Sequence, residues 1–157
     1  MSAASRTLVS GLVADVDTIL VQRWLFVAGR FAMTFMYWFA AIGFLLDFSG
    51  AEAMVRSYGL EPASLMAALT IALQLAGSAL VIDGRLAWLG AGMLGLFTLA
   101  TIPLVHHFWT MTGGAAVQAR LESEEHLTVI GGLILTSILC YRRTSAAKSR
   151  KRLDNAQ

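Results

Sequence analysis

The chain alternates between long apolar runs and short polar breaks, and the run lengths indicate the fold. A helix rises about 1.5 Å per residue, so crossing the ~30 Å hydrocarbon core of a bilayer takes about 20 mostly apolar residues. Four stretches meet or approach that length. The first runs from Trp24 to Phe48 and is interrupted by Arg30. The second runs from Pro62 to Ile82, with Gln74 as its strongly polar residue. The third, Leu86 to Val105, is uncharged; the fourth, Leu127 to Tyr141, reaches only about 22 Å as a helix. That last helix is therefore expected to start near residue 124 and carry Glu124, Glu125 and His126 to membrane depth, or the bilayer thins there. The pattern predicts an all-α integral membrane four-helix bundle over residues 24–141, with spans at about 24–48, 62–82, 86–105 and 124–141.

Three segments lie outside the spans. Within residues 1–23, Val9, Leu12, Val13, Val16, Ile19 and Leu20 fall at helical spacing, which predicts an amphipathic helix on the cytoplasmic surface. The connection from Asp47 to Glu61 ends in a Tyr58-Gly59-Leu60-Glu61-Pro62 turn, with the proline opening the second helix. The connection from His106 to Glu125 is the longest and most polar, and its Gly113-Gly114 pair marks a break; it is expected to be a lid or docking loop. Residues 142–157 read as a disordered basic tail against anionic lipid.

Composition narrows the class. Of the 157 residues, 57% are apolar and only 14% are charged, against about 25% charged in a typical soluble domain. A soluble enzyme, a disordered chain and a nucleic-acid-binding domain are all disfavoured. The basic balance is local, because six of the twelve basic residues occupy the last sixteen positions. With Arg6, Arg23 and Arg85 they mark one side of the membrane. The opposite connections hold Asp47, Glu52, Glu61, Glu122, Glu124 and Glu125 against Arg56 and Arg120. The positive-inside rule then places both termini in the cytoplasm, which in a bacterium means a multi-pass protein of the inner membrane. The first apolar run is too long for a cleavable signal peptide. A single cysteine, Cys140, allows neither an intrachain disulfide nor a thiolate zinc site.

Polar residues at membrane depth carry the candidate chemistry. Arg30 lies about 9 Å into the first helix and Gln74 about 12 Å into the second, counted from the cytoplasmic side. At similar depth they are expected to meet and offer a site for an anionic or carbonyl group. The structural alternative is an arginine that snorkels to the interface or clamps the first two helices. At the outer end, His106 and His107 close the third helix, and Glu124, Glu125 and His126 open the fourth. Imidazoles and carboxylates there suit a quinone headgroup, whose carbonyls need proton donors. A metal or a haem are the other ligand readings, and a polar rim is the bland one. Adjacent histidines on a helix diverge by about 100°, so His106 and His107 cannot both face inward. The run Met33, Phe35, Met36, Tyr37, Trp38 and Phe39 reads as packing or lipid-facing surface, with a flat slot for an isoprenoid ring as the sharper option. Gly90, Gly92, Gly95, Gly131 and Gly132 predict close helix approach and little interior volume. No nucleophile–base pair, phosphate loop or dinucleotide fingerprint is present.

From Gly29 to Cys140 the chain resembles the DoxX family of small four-helix membrane proteins. The resemblance rests on Gly29-Arg30, Asp47-Phe48, Tyr58-Gly59-Leu60-Glu61-Pro62, Gln74-Leu75-Ala76-Gly77-Ser78, Gly84-Arg85, His106-His107-Phe108-Trp109 and Leu127 to Leu133. The chain departs from the family pattern at Gln74, usually glutamate, at Phe44, near a usual lysine, and at Glu125-His126, usually Lys-Asn. The resemblance implies a subunit or accessory protein of a quinone-linked oxidoreductase system, with electrons brought by a membrane or periplasmic partner. Arg30, Gln74, His106, His107, Glu125 and His126 are the candidate ligand-binding residues, with the lipid bilayer as surroundings and a homo-oligomer as a further option. A non-catalytic membrane anchor and a small-molecule or lipid carrier are the alternatives.

Overall fold

The computed structural model describes Val13, residues 16–20 and residues 22–156. Among the described residues there is no strand. The helices are α1 (Arg23–Met33), α2 (Phe35–Leu46), α3 (Phe48–Ser57), α4 (Ala63–Asp83), α5 (Ala87–Leu104) and α6 (Gly113–Asp154), with a short 3-10 turn at Phe108–Thr110. Val13 and residues 16–20 are helical and exposed, whereas Val9 and Leu12 of the expected amphipathic helix lie outside the described residues. α4 and the segment Ala87–Thr110 are long and apolar enough to cross a membrane, and the α1–α2 pair is a third candidate span.

The structure revises four expectations. The first apolar run is broken by a 52° bend between α1 and α2. The cause is Thr34, fully buried at the break, whose hydroxyl donates to the Arg30 carbonyl at 3.0 Å. Such back-bonding to the preceding turn bends helices. Residues 48–57 are helical rather than a loop, because Asp47 caps α3 by accepting the Gly50 N–H at 2.9 Å. The expected long loop shrinks to residues 105–112, since α6 already starts at Gly113, whose φ of +65° turns the chain into the helix. Its first turns are rich in alanine and carry the pairs Gln118–Glu122 (2.8 Å) and Arg120–Glu124 (2.9 Å) at i,i+4 spacing. The tail continues as helix to Asp154, with Lys151 and Arg152 in the last turn complementing its negative pole. α6 thus has 42 residues and a length of about 63 Å.

α5 packs between α4 and α6, while α1, α2 and α3 lie against α4. The α4–α5 crossing is close at one point. A Cβ on Gly90 would meet the Gly77 carbonyl oxygen at 2.6 Å, and one on Gly77 would meet the Leu94 side chain. Gly132 lies similarly against Met33, but Gly92, Gly95 and Gly131 face open space, so glycine buys proximity at fewer positions than expected. Tyr37, Val81, Ala91, Leu94 and Leu133 form the core. Large apolar side chains such as Phe39, Leu96 and Leu135 point outward, more than 60% exposed. Polar Thr34, Gln74, Ser78 and Thr98 are buried instead. That distribution suits lipid surroundings, where apolar side chains gain nothing by turning inward.

Tyr37 and Thr98 share a buried hydrogen bond between α2 and α5. The Thr98 hydroxyl donates to the Leu94 carbonyl at 2.7 Å, so its one proton is used and Tyr37 is the donor between the two side chains. Tyr37→Phe leaves the Thr98 donation in place. It should cost about 1 kcal/mol of stability in detergent unfolding, the net worth of one such bond.

Candidate functional site

A cavity of about 480 Å³ opens between α2, α3, α4 and α5, contrary to the small interior volume expected from the glycines. This lies within the roughly 300–1,000 Å³ of small-molecule sites. The helix after Asp47 and the residue that follows it supply one wall through Ala51, Met54, Val55 and Tyr58. Most of the lining is apolar, with Met36, Phe44 and Phe97 among it. Tyr58, Thr70 and Thr101 add hydroxyls along it, and the other polar groups gather at two places. Gln74, Tyr37 and Thr98 line one end, and His106 and His126 line the other, with Thr98 and Val105 separated by about 10 Å along the chain.

The inner group contains an imbalance. Gln74 is 6% exposed and its Oε1 has no hydrogen-bond partner, and neither has the Oγ of Ser78 one turn further along α4. A buried polar atom without a partner costs about 1–3 kcal/mol, so native structures rarely keep one without a reason. The outer group is wired. His106 Nδ1 lies 2.7 Å from Glu122 Oε2, and the His106 and His126 rings meet edge to face at 4.8 Å. The Ser123 hydroxyl sits behind them, donating to the Ala119 carbonyl at 2.8 Å.

Three of the six expected residues, Gln74, His106 and His126, therefore line one cavity. His107, Glu125 and Arg30 are not among its lining residues. His107 begins the 3-10 turn, and Glu125 is exposed on α6. Arg30 and Gln74 do not meet. The Arg30 Nη1 donates to the Val81 carbonyl at 3.4 Å, and Val81 lies seven residues beyond Gln74, about 10 Å along α4. Helical side chains lean toward their own N-terminus, and these two helices run in opposite directions, so residues at equal depth point apart.

Tyr37, Thr98 and Glu122 were not singled out as site residues from the sequence. Glu122 stands four residues before His126, a signal that becomes visible once the last helix is read from Gly113. A buried tyrosine needs a hydroxyl partner, which marks Tyr37 within its apolar run. The two histidine rings touch, leaving no room for a porphyrin between them. Among the described residues no three His, Cys, Asp or Glu side chains converge on a point that could hold a metal ion.

No curated protein and no solved structure matches the chain. The DoxX family profile matches residues 25–107, from α1 to the second histidine after α5, and leaves α6 outside the match. With more than half of its length carried by that match, and with apolar helices long enough to enter a bilayer, the chain belongs to the DoxX family of membrane proteins.

Proposed function

We propose that this protein is a quinone-binding membrane subunit of a quinone-linked oxidoreductase system. The observation that carries the reading is the cavity, mostly apolar along its walls, with histidines at one end and a buried Gln74 Oε1 left unpartnered at the other. In this reading the chain crosses the bacterial inner membrane four times, α6 supplying the fourth span, with both termini in the cytoplasm and the histidines at the outer face. A bound quinone supplies a carrier of two electrons and two protons, the electrons exchanged with a partner subunit.

The chain's own residues bind and orient the ring. Met36, Phe44 and Phe97 offer apolar surface; the Gln74 Nε2–H can donate to a quinone carbonyl, and its unpartnered Oε1 can accept from the hydroxyl of the reduced ring. At the other end Glu122 holds the Nδ1 proton of His106, which leaves Nε2 free to accept or donate a proton. Glu122 is partly exposed, with about a third of its side chain accessible, and so connects that imidazole to water. No step requires a nucleophile or a metal held by the chain.

Equilibrium binding of a radiolabelled short-chain quinone to the protein in phosphatidylcholine nanodiscs tests the reading. Specific retention above empty discs is expected, weakened about tenfold by His106→Ala, the loss of roughly one strong hydrogen bond. Retention no greater than that of empty discs would sink it. A second reading, a non-catalytic anchor for a larger complex, is favoured by α6, which outruns a bilayer thickness and exposes Val117 and Leu121 near its start. An anchor keeps its partner through His106→Ala and loses it when residues 110–123 are replaced.

A further inference from the structure

We propose that the end of the bundle where α1 begins and α4 ends binds a phosphate oxyanion, supplied by an anionic lipid headgroup, between Arg30 and Arg143. This site is separate from the cavity and does not depend on the quinone reading.

The first argument is an asymmetry of charge. At the opposite end Arg56 pairs with Glu61 at 3.2 Å and Arg120 with Glu124 at 2.9 Å. At this end Arg30, Arg85, Arg142 and Arg143 form no ion pair with any carboxylate among the described residues. Arg30 is the unusual member. It is 8% exposed, its Nε has no hydrogen-bond partner, and its guanidinium otherwise meets only neutral groups, the Val81 carbonyl at a long 3.4 Å and the buried Cys140 thiol. A buried guanidinium with five donors and so little to bind is an incomplete arrangement.

The position of that guanidinium is built rather than incidental. Gly84 ends α4 at φ +86°, and a Cβ there would overlap Arg30 Nη1, so the turn is open where the side chain rests on it. The Phe26 ring holds a second cation beside it. Arg30 Cζ lies 5.0 Å from the ring centroid and Arg143 Cζ 4.2 Å from it. The two guanidinium carbons are therefore at most about 9 Å apart. That sum is an upper bound, and one tetrahedral phosphate at the edge of the ring spans separations within it with a charge-assisted hydrogen bond to each cation. Two cations so close, facing one aromatic ring, repel each other unless an anion joins them.

The depth identifies the source of the anion. Trp24 opens α1 and Trp88 lies in the first turn of α5, both at this end and both about 60% exposed. Exposed indoles mark the headgroup level of a bilayer, which is where lipid phosphates stand. Arg30 reaches that level from further along α1 because its side chain leans toward the N-terminus of its helix.

The test is native mass spectrometry of the full chain released from nanodiscs of mixed phosphatidylglycerol and phosphatidylcholine. Preferential retention of phosphatidylglycerol is expected, falling about tenfold in Arg143→Gln and in Arg30→Gln, and unchanged in Arg56→Gln at the other end. Arg143 is exposed, so its variant remains informative if Arg30→Gln fails to fold. Equal retention of the two lipids, or a preference that survives Arg143→Gln, overturns the proposal. In a parallel arm, inorganic phosphate is titrated into pure phosphatidylcholine discs. Binding there that is lost in Arg143→Gln, without any lipid preference, assigns the site to a free phosphate and overturns the lipid source.

Discussion

Replacing Gly90 by leucine should destabilise the protein by about 3 kcal/mol or prevent the α4–α5 pair from forming. The reason is what the new side chain would meet. Even its Cβ would lie 2.6 Å from the Gly77 carbonyl oxygen, 2.8 Å from Leu80 Cβ and 3.0 Å from the Val81 backbone nitrogen. Two of those atoms are backbone, so no rotamer change relieves the contact, and the helices must separate. Separation also undoes the packing around Leu94, which is fully buried against the same crossing. Gly92, two residues along, provides the control. A Cβ there meets nothing within 4 Å, and alanine has the better helix propensity. Gly92→Ala should therefore be neutral or stabilise by up to about 1 kcal/mol. Unfolding of each variant in mixed micelles with increasing SDS measures both effects. Equal sensitivity at the two positions would show that the α4–α5 crossing is not as close as described.

Replacing Gln74 by leucine should move stability and ligand binding in opposite directions. Leucine removes a buried oxygen that has no partner, and an apolar group of similar size there should stabilise the fold by about 1 kcal/mol. The same change removes the one amide at the inner end of the cavity. Quinone binding in nanodiscs should fall at least about tenfold, the worth of one well-placed hydrogen bond in a water-poor site. The pairing of signs is the useful part. A purely structural Gln74 would show the stability change with binding unaltered. A general packing defect would lower both together.

The apolar runs made the helices legible, because a helix that enters lipid must satisfy its backbone within itself and clothe itself in apolar side chains. The α4 and α5 boundaries accordingly fall close to the ends of their runs. Gln74, His106 and His126 stood out for the same reason, as polar groups near membrane depth. The break at Thr34 did not, because one hydroxyl bonding back to Arg30 leaves no trace in hydropathy. Nor did the helical state of residues 113–125 and 144–154, where hydropathy is low and helix propensity, capping and paired charges decide instead.

Tyr37 and Glu122 show the other kind of limit. Each acquires its role from a partner on another segment: Thr98, 61 residues away, for one, and His106 for the other. Arg30 and Gln74 fail in the opposite sense. Equal depth suggested a contact, but the directions of their side chains on antiparallel helices set them apart. Which runs are long and apolar enough to be helices in lipid, and the balance of charge at each end, are properties of single segments, and the chain alone carried them. Which helix faces meet, where glycine permits backbone contact, and that a cavity joins Gln74 to His106 depend on how separate helices pack. Packing is set by contacts between residues distant along the chain, so it came only from the tertiary structure.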